Sequence, residues 1–231
     1  MDEILSGLSP GARVLDIGSA GGSFPADRYS DLIIVRADLA MQSRTAAQNE
    51  VLVTANATRL PFPDVTFDAV VSNHSLEHIE GWQRAVAEFG RVLKTGGALY
   101  VAVPDTSTVT DRLYRWLSRG GGHINAFYRP EEVSGPVSRL TGLPWNGTRV
   151  LHSSLSFLHP ANRPPGRPPR KLWLLGGGGR RFLFLWNFAA RWLDRHFHTR
   201  LSVYGWACYF GRHREVDETP LVHVCLRCGS G

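Results

Sequence analysis

Cysteine is scarce in this 231-residue sequence, and the three present (Cys208, Cys225 and Cys228) crowd toward one end. That number and placement exclude a disulfide framework and favour a reducing compartment. Lysine is absent before Lys94, so the glycine-rich turn near the start is not a Walker-type phosphate loop, which needs Gly-Lys-Ser/Thr. No stretch approaches the roughly 18 uninterrupted apolar residues of a spanning helix. The opening segment, MDEILSGLSPGARVLD, lacks the basic start and apolar run of an export signal. The expectation is a cytoplasmic chain, at most peripheral to the inner face of a membrane. Acidic residues are nearly missing from one block: residues 158–200 carry 9 Lys/Arg against 1 Asp/Glu, while 1–157 carry 14 against 16 and 201–231 carry 3 against 3. The net charge of +6 therefore originates in that block alone.

What is present reads as alternation. Short β-branched runs at Arg13–Ile17, Leu32–Arg36, Val51–Thr54, Phe67–Ser72 and Ala98–Val103 are separated by polar, helix-like segments. Near-continuous apolar strands of this kind are buried on both faces of a parallel sheet, and the alternation implies βαβ crossovers. The predicted fold is a doubly wound, Rossmann-like, mostly parallel sheet with helices on both faces. Antiparallel C-terminal strands and a helical insert complete it. The segment 80–94 (EGWQRAVAEFGRVLK) has one apolar face and stops at Thr95-Gly96-Gly97. Leu60–Asp64 is a proline-set loop. Arg149–Phe157, Val203–Phe210 and Leu221–Arg227 read as further strands, the last two as a terminal hairpin. The organisation is a core over 1–157, a basic aromatic insert over 158–200 and strands over 201–231 that complete the sheet. No internal repeat is found.

The stretch VLDIGSAGGSFP (14–25) places an acid two residues before a glycine turn, and a second strand ends in Asp38. A strand, a glycine turn and a distal acid describe a nucleoside-binding unit in which the carboxylate accepts hydrogen bonds from ribose hydroxyls. The dinucleotide pattern G-x-G-x-x-G is not met. Asp16 would repel a pyrophosphate but suits a cationic ligand, bound directly or through water.

On these residues the sequence resembles the class I S-adenosylmethionine-dependent methyltransferases, in particular the type 11 small-molecule group. The matching segments are VLDIGSAGG (14–22), Asp38, NATRLPFPD (56–64), FDAVVSNHSLEHI (67–79), RVLKTGG (91–97), ALYVAVPD (98–105) and, more loosely, GHINAFYRPEEV (122–133). The resemblance implies S-adenosylmethionine as cofactor. It places Asp16, Gly18, Ser19, Ala20 and Gly22 around the methionine part, Asp38 and Leu39 at the ribose, Asn56 and Ala57 beside the adenine, and Asn73 beneath the sulfonium. Two positions depart from the pattern. Ala20 replaces the middle glycine, and Asn56 replaces the acid that takes the adenine amine, although its side-chain oxygen is still an acceptor.

Candidate bases follow the fourth strand in SNHSLEHI: His78, His74 and Glu77, with His123 approaching from a later loop. His74-x-x-Glu77-His78 also looks like the E-x-x-E-H element that binds a divalent metal in some family members. With His74 in place of the first acid, no metal is assigned. The alternative reading makes Glu77 a local packing group and His78 a satisfied structural histidine. VHVCLRCG (222–229) resembles one knuckle of a zinc ribbon, which lacks its second pair of ligands. The predicted function is a biosynthetic methyltransferase, methylating an oxygen of a small or lipid-linked acceptor such as a sugar or secondary metabolite. The competing readings are a non-catalytic cofactor-sensing or membrane-interaction protein on the same fold, and use of the cofactor for chemistry other than methylation. The insert 158–200 reads as an acceptor lid or, through 171–198, as a peripheral membrane contact; nucleic acid is disfavoured because no RNA-binding module accompanies it.

Overall fold

A computed structural model describes residues 1–19, 22–41, 45–117, 122–153, 180–212 and 221–223. Eight strands form one mixed sheet: β1 Arg13–Ile17, β2 Ile33–Asp38, β3 Glu50–Thr54, β4 Phe67–Asn73, β5 Leu93–Pro104, β6 Trp145–Ser153, β7 Val203–Gly211 and β8 Leu221–His223. The helices are α1 Asp2–Leu5, α2 Trp82–Val92, α3 Val109–Leu117, α4 Glu131–Thr141 and α5 Arg180–Phe197. The strand order is β3-β2-β1-β4-β5-β7-β6-β8. β1 to β5 are mutually parallel, β7 runs antiparallel between β5 and β6, and β8 lies parallel to β6.

The apolar runs explain the layering. Along β5, Leu99, Val101 and Val103 enter one core with α2 and α4, whereas Ala98, Tyr100 and Ala102 enter the other with α1. Trp82, Val86, Phe89 and Val92 of α2 are buried, as the one-sided periodicity requires. α4 opens at Pro130 with Glu131 and Glu132 in its first turn and ends at Gly142 with φ +71°.

Two expectations are corrected. The terminal hairpin does not form: both edges of β7 are taken by β5 and β6, so β8 joins β6 instead. Cys208 faces Val101 and Thr148 within the sheet, fully buried, and burial pushes its thiol up to about 11. Cys225 and Cys228 lie outside the described residues. Between β1 and β2 the described residues hold a single 3-10 turn, Asp27–Tyr29, rather than a crossover helix. Its Tyr29 packs edge-on against Phe24 and roofs that face of the sheet.

Arg91, near the end of α2, fixes the proline-set loop. It donates to the carbonyls of Phe62 and Leu60 at 2.8 and 3.1 Å and to the Asp64 and Glu88 carboxylates at 2.7 Å, while Glu88 also accepts from the Leu60 amide. Replacing Arg91 with methionine keeps the aliphatic stem and removes every donor. The expected loss is about 1–3 kcal/mol of unfolding free energy, read as a lower urea midpoint with an unchanged slope.

Candidate active site

The strand order reverses at β1, whose two neighbours are β2 and β4. In an open α/β sheet the crevice beyond the carboxyl ends of the strands at such a reversal is where ligands bind. Registers bring those ends level: Ile17 pairs with Ala37 on one side and Ser72 on the other, and Asp38 pairs with Thr54. Beyond them opens a cleft of about 1160 Å³. Gly18, Asp38, Leu39, Asn56 and Ala57 line it from the sheet side, and His78, Ile79, Arg84 and Ile124 from the opposite wall.

Gly18 has φ +69°, and a β-carbon there would lie 2.4 Å from the Ser75 β-carbon. Glycine is needed for backbone sign and for space. Asp38 is half-buried at the cleft, and its Oδ1 accepts from the Ala40 amide at 2.8 Å. Asn56 departs from the role expected of its oxygen. Oδ1 already accepts from the Thr58 amide and hydroxyl, each at 2.9 Å, which makes the amide NH₂ the group it can offer a ligand.

The turn's first acid does not face the cleft. Asp16 is fully buried, with Oδ2 bound by the Arg36 guanidinium and the Ser23 amide (2.9 Å) and Oδ1 by the Ser23 hydroxyl (2.6 Å). Burial raises its carboxyl, and Arg36 and Ser23 oppose that. Arg36 also donates to Glu50 and to the Phe24 carbonyl, and its guanidinium lies 4.8 Å from the centre of the Phe24 ring. Gly22 (φ +92°) rests against that guanidinium, where a β-carbon would approach within 2.8 Å. Ser19 is buried with its hydroxyl 3.4 Å from the Asp16 carbonyl. Asp16, Ser19 and Gly22 thus shape the turn from behind. Asn73 ends β4 opposite Ala102 and does not line the cleft, and Ala20 lies outside the described residues.

The four predicted bases come together. Leu76–His78 forms a 3-10 turn after β4. Asn125 clamps it, donating to the carbonyls of Leu76 and Ile79 at 2.8 Å, while the Glu77 carbonyl accepts from the amides of Ile124 and Asn125. Two loops far apart in sequence are thereby joined. His78 Nδ1 lies 3.0 Å from the Gly122 carbonyl, which can only accept. The neutral ring therefore carries its proton on Nδ1 and presents the Nε2 lone pair. Glu77 is 1% exposed, with Oε1 4.0 Å from His78 Nε2 and 3.6 Å from His74 Nδ1. His123 stacks edge-on against His78 with centroids 4.8 Å apart.

Sequence reasoning missed the partners behind His123. Asp111 of α3 is fully buried, 3.5 Å from His123 Nδ1 and 2.8 Å from Arg115 Nε, and Tyr114 flanks the same ring. Asp111 and Arg115 at i,i+4 were the available signal, within a helix-prone segment. Burial pushes Glu77 up to about 7 and Asp111 up to about 6, and pulls His74 and His123 down to about 4. Glu77, His78 and His123 also bring one donor atom each within 4.8 Å of the others, a spacing that would admit a divalent ion.

A family model described as a methyltransferase domain matches residues 15–101, the span from β1 to β5. The chain is 30% identical over 183 residues to a demethylmenaquinone methyltransferase of Mycolicibacterium paratuberculosis, covering 69% of this chain and 79% of that protein. The chain belongs to the S-adenosylmethionine-dependent methyltransferases. A malonyl-[acyl-carrier protein] O-methyltransferase of Coxiella burnetii is 28% identical over 130 residues, with 55% of this methyltransferase and 45% of the relative covered. A solved S-adenosylmethionine-dependent methyltransferase from Archaeoglobus fulgidus shares the fold, with a TM-score of 0.59 at 14% identity over 87% of this chain and 86% of that one. S-adenosylmethionine is the cofactor of this methyltransferase. The cleft fits it: a carboxylate at the end of β2, an amide donor at Asn56 and apolar flanks from Leu39, Ala57 and Ile79 suit a ribose and an adenine.

The raised proton affinity of Glu77 has a stability signature. The folded state holds the Glu77 proton more tightly than the unfolded chain, whose value is near 4.5. Glu77 therefore favours folding at low pH, and the methyltransferase loses that contribution as pH rises from 4.5 through about 7. Glu77→Gln removes the titration. The stability of the wild type relative to this variant should fall across that window by up to about 3 kcal/mol, measured by chemical unfolding at several pH values.

Proposed function

We propose that the protein methylates an oxygen of a small or lipid-linked acceptor, with His78 as the base. The observation that carries this reading is the position of His78. It lines the cofactor cleft with its Nε2 lone pair available and the buried Glu77 carboxylate 4.0 Å from that same nitrogen. The cofactor supplies, when bound, an electrophilic methyl group on a sulfonium. The chain's own work is to hold the acceptor in line, which contributes on the order of 7–11 kcal/mol where placement is good, and to accept the hydroxyl proton.

The acceptor proton passes to His78 Nε2, since Nδ1–H is held by Gly122. The charge that develops on the imidazole is balanced by Glu77 once Glu77 is ionised. His123, kept neutral by burial, and Asp111 close the opposite side of the cluster and orient the ring against which His78 packs. Asp38 and Asn56 serve as cofactor ligands in this reading. Asp16 acts through the shape of the turn rather than by contact. Relatives are named as both an O-methyltransferase and a C-methyltransferase, so oxygen as the methylated atom rests here on the available base at His78.

His78→Ala should lower turnover by about 10²–10⁴-fold and leave the affinity for S-adenosylmethionine, titrated calorimetrically, within a few-fold. Equal losses in both would make His78 structural, and cofactor binding without turnover on any acceptor in a screen would favour a cofactor-sensing role. Turnover should rise with pH through about 7 as Glu77 ionises, and Glu77→Gln should abolish that limb. Chelator treatment should leave turnover unchanged; a loss restored by a divalent ion would assign Glu77, His78 and His123 to a metal.

A further inference from the structure

We propose that the outer face of α5 binds an anionic lipid surface. Leu185, Phe188 and Trp192 follow one another at i, i+3 and i+7, the spacing of a single helix face, and are 63%, 66% and 49% exposed. Trp186 and Phe197 flank them, 44% and 62% exposed. The helix already has its protein-facing edge elsewhere. Ala190 is buried, and Asn187 and Asp194, one turn to either side, are partly covered. In the insert 158–200, expected to be an acceptor lid, the described helix thus turns Leu185, Trp186, Phe188, Trp192 and Phe197 to solvent.

Charge decides what that face meets. Asp194 is the sole acid in residues 158–200, and it is consumed locally. Its carboxylate accepts from the Thr199 hydroxyl, the Leu201 amide, and the amide and hydroxyl of Ser202. Arg191 and Arg195 lie on the helix, Arg180 and Arg181 open it, and four further cations precede it in sequence. A face with two tryptophans and a cationic border is complementary to anionic headgroups over acyl chains. A second copy would bring like charge against like, and a nucleic-acid backbone would satisfy the arginines while leaving Leu185 and Phe188 in water. No helix among the described residues is long and apolar enough to cross a membrane.

The segment leaving α5 runs directly to the acid–base cluster. Arg200 pairs with Asp105 at 2.6 Å, Thr110 of α3 lies 3.4 Å from the Leu201 carbonyl, and the Tyr204 ring lies 5.0 Å from that of His74. A lipid-docked α5 therefore brings the acceptor side of the cleft close to the bilayer surface, where an amphipathic or lipid-linked acceptor would be presented.

Flotation of the full chain tests this without requiring turnover. At low salt it should float with vesicles of phosphatidylglycerol and phosphatidylcholine, and not with phosphatidylcholine alone. The variant Leu185→Gln/Phe188→Gln/Trp192→Gln should lose flotation, and Arg191→Gln/Arg195→Gln should weaken it by about tenfold or more. Both should retain S-adenosylmethionine binding, which reports an intact core because the substitutions are remote from the cofactor cleft. No flotation with anionic vesicles, equal flotation with neutral ones, or flotation indifferent to the apolar substitutions would overturn the proposal. So would a lipid-free dimer in sedimentation equilibrium that the apolar variant dissociates.

Discussion

A buried guanidinium organises the cofactor end of the sheet. Arg36, in the middle of an apolar strand, is 2% exposed and binds carboxylates from β1 and β3 as well as the carbonyl of Phe24. Burying an unpaired guanidinium would cost several kcal/mol, and losing one partner of such a pair costs about 3–5 kcal/mol, so the three elements are held in one arrangement. The shape of the glycine turn follows. Ser23 is fixed by the same Asp16, and Gly22 must lack a side chain because Arg36 fills the space behind it. Gly22 and Ser23 are thus held from the protein side, and Gly18 faces the cleft.

The groups proposed as acid and base depend on a different device. His78 and Glu77 lie on a short 3-10 turn that has little intrinsic stability of its own. Asn125 supplies it, spanning the turn with two hydrogen bonds while its backbone amide holds Glu77. This clamp brings His123 to His78 and sets Asp111 of α3 behind it. The consequence is electrostatic: carboxyls shielded from water are harder to ionise and imidazoles shielded from water are harder to protonate. The ordinary order of acidity is thereby inverted, so that in weak acid Glu77 and Asp111 hold protons while His74 and His123 stay neutral.

The cofactor wall and the acid–base cluster are built from distinct parts of the chain. The first uses the ends of β1 to β4. The second uses the loops after β4 and α3, joined to the segment that leaves α5 through Arg200 and Tyr204. The family match is confined to residues 15–101, which hold most of the cofactor wall and the Glu77–His78 turn. His123, Asp111 and α5 lie beyond it.

Much of this was legible from residue order. The core strands were marked by β-branched runs, α2 by its apolar face and the cofactor wall by Gly18 and Asp38, because parallel-sheet burial and backbone sign are local demands on residue type. The candidate bases His74, Glu77, His78 and His123 were visible as chemistry and as groups converging from two loops, but not the distances between them. Asp16 and Asn56 were recognised as polar groups at the right positions, and the structure turned each to another partner, Arg36 and Thr58. The pairing of β8 with β6 could not be read, since it joins segments about 70 residues apart, and the i,i+4 pair Asp111 and Arg115 marked a helix face without showing that His123 packs against it. Sequence by itself determined which residues are buried, which turns require glycine and which side chains carry titratable groups. Tertiary structure alone decided which polar group meets which, because a hydrogen bond or an ion pair is settled by distances of a few tenths of an ångström that only the packed sheet and its clamped loops define.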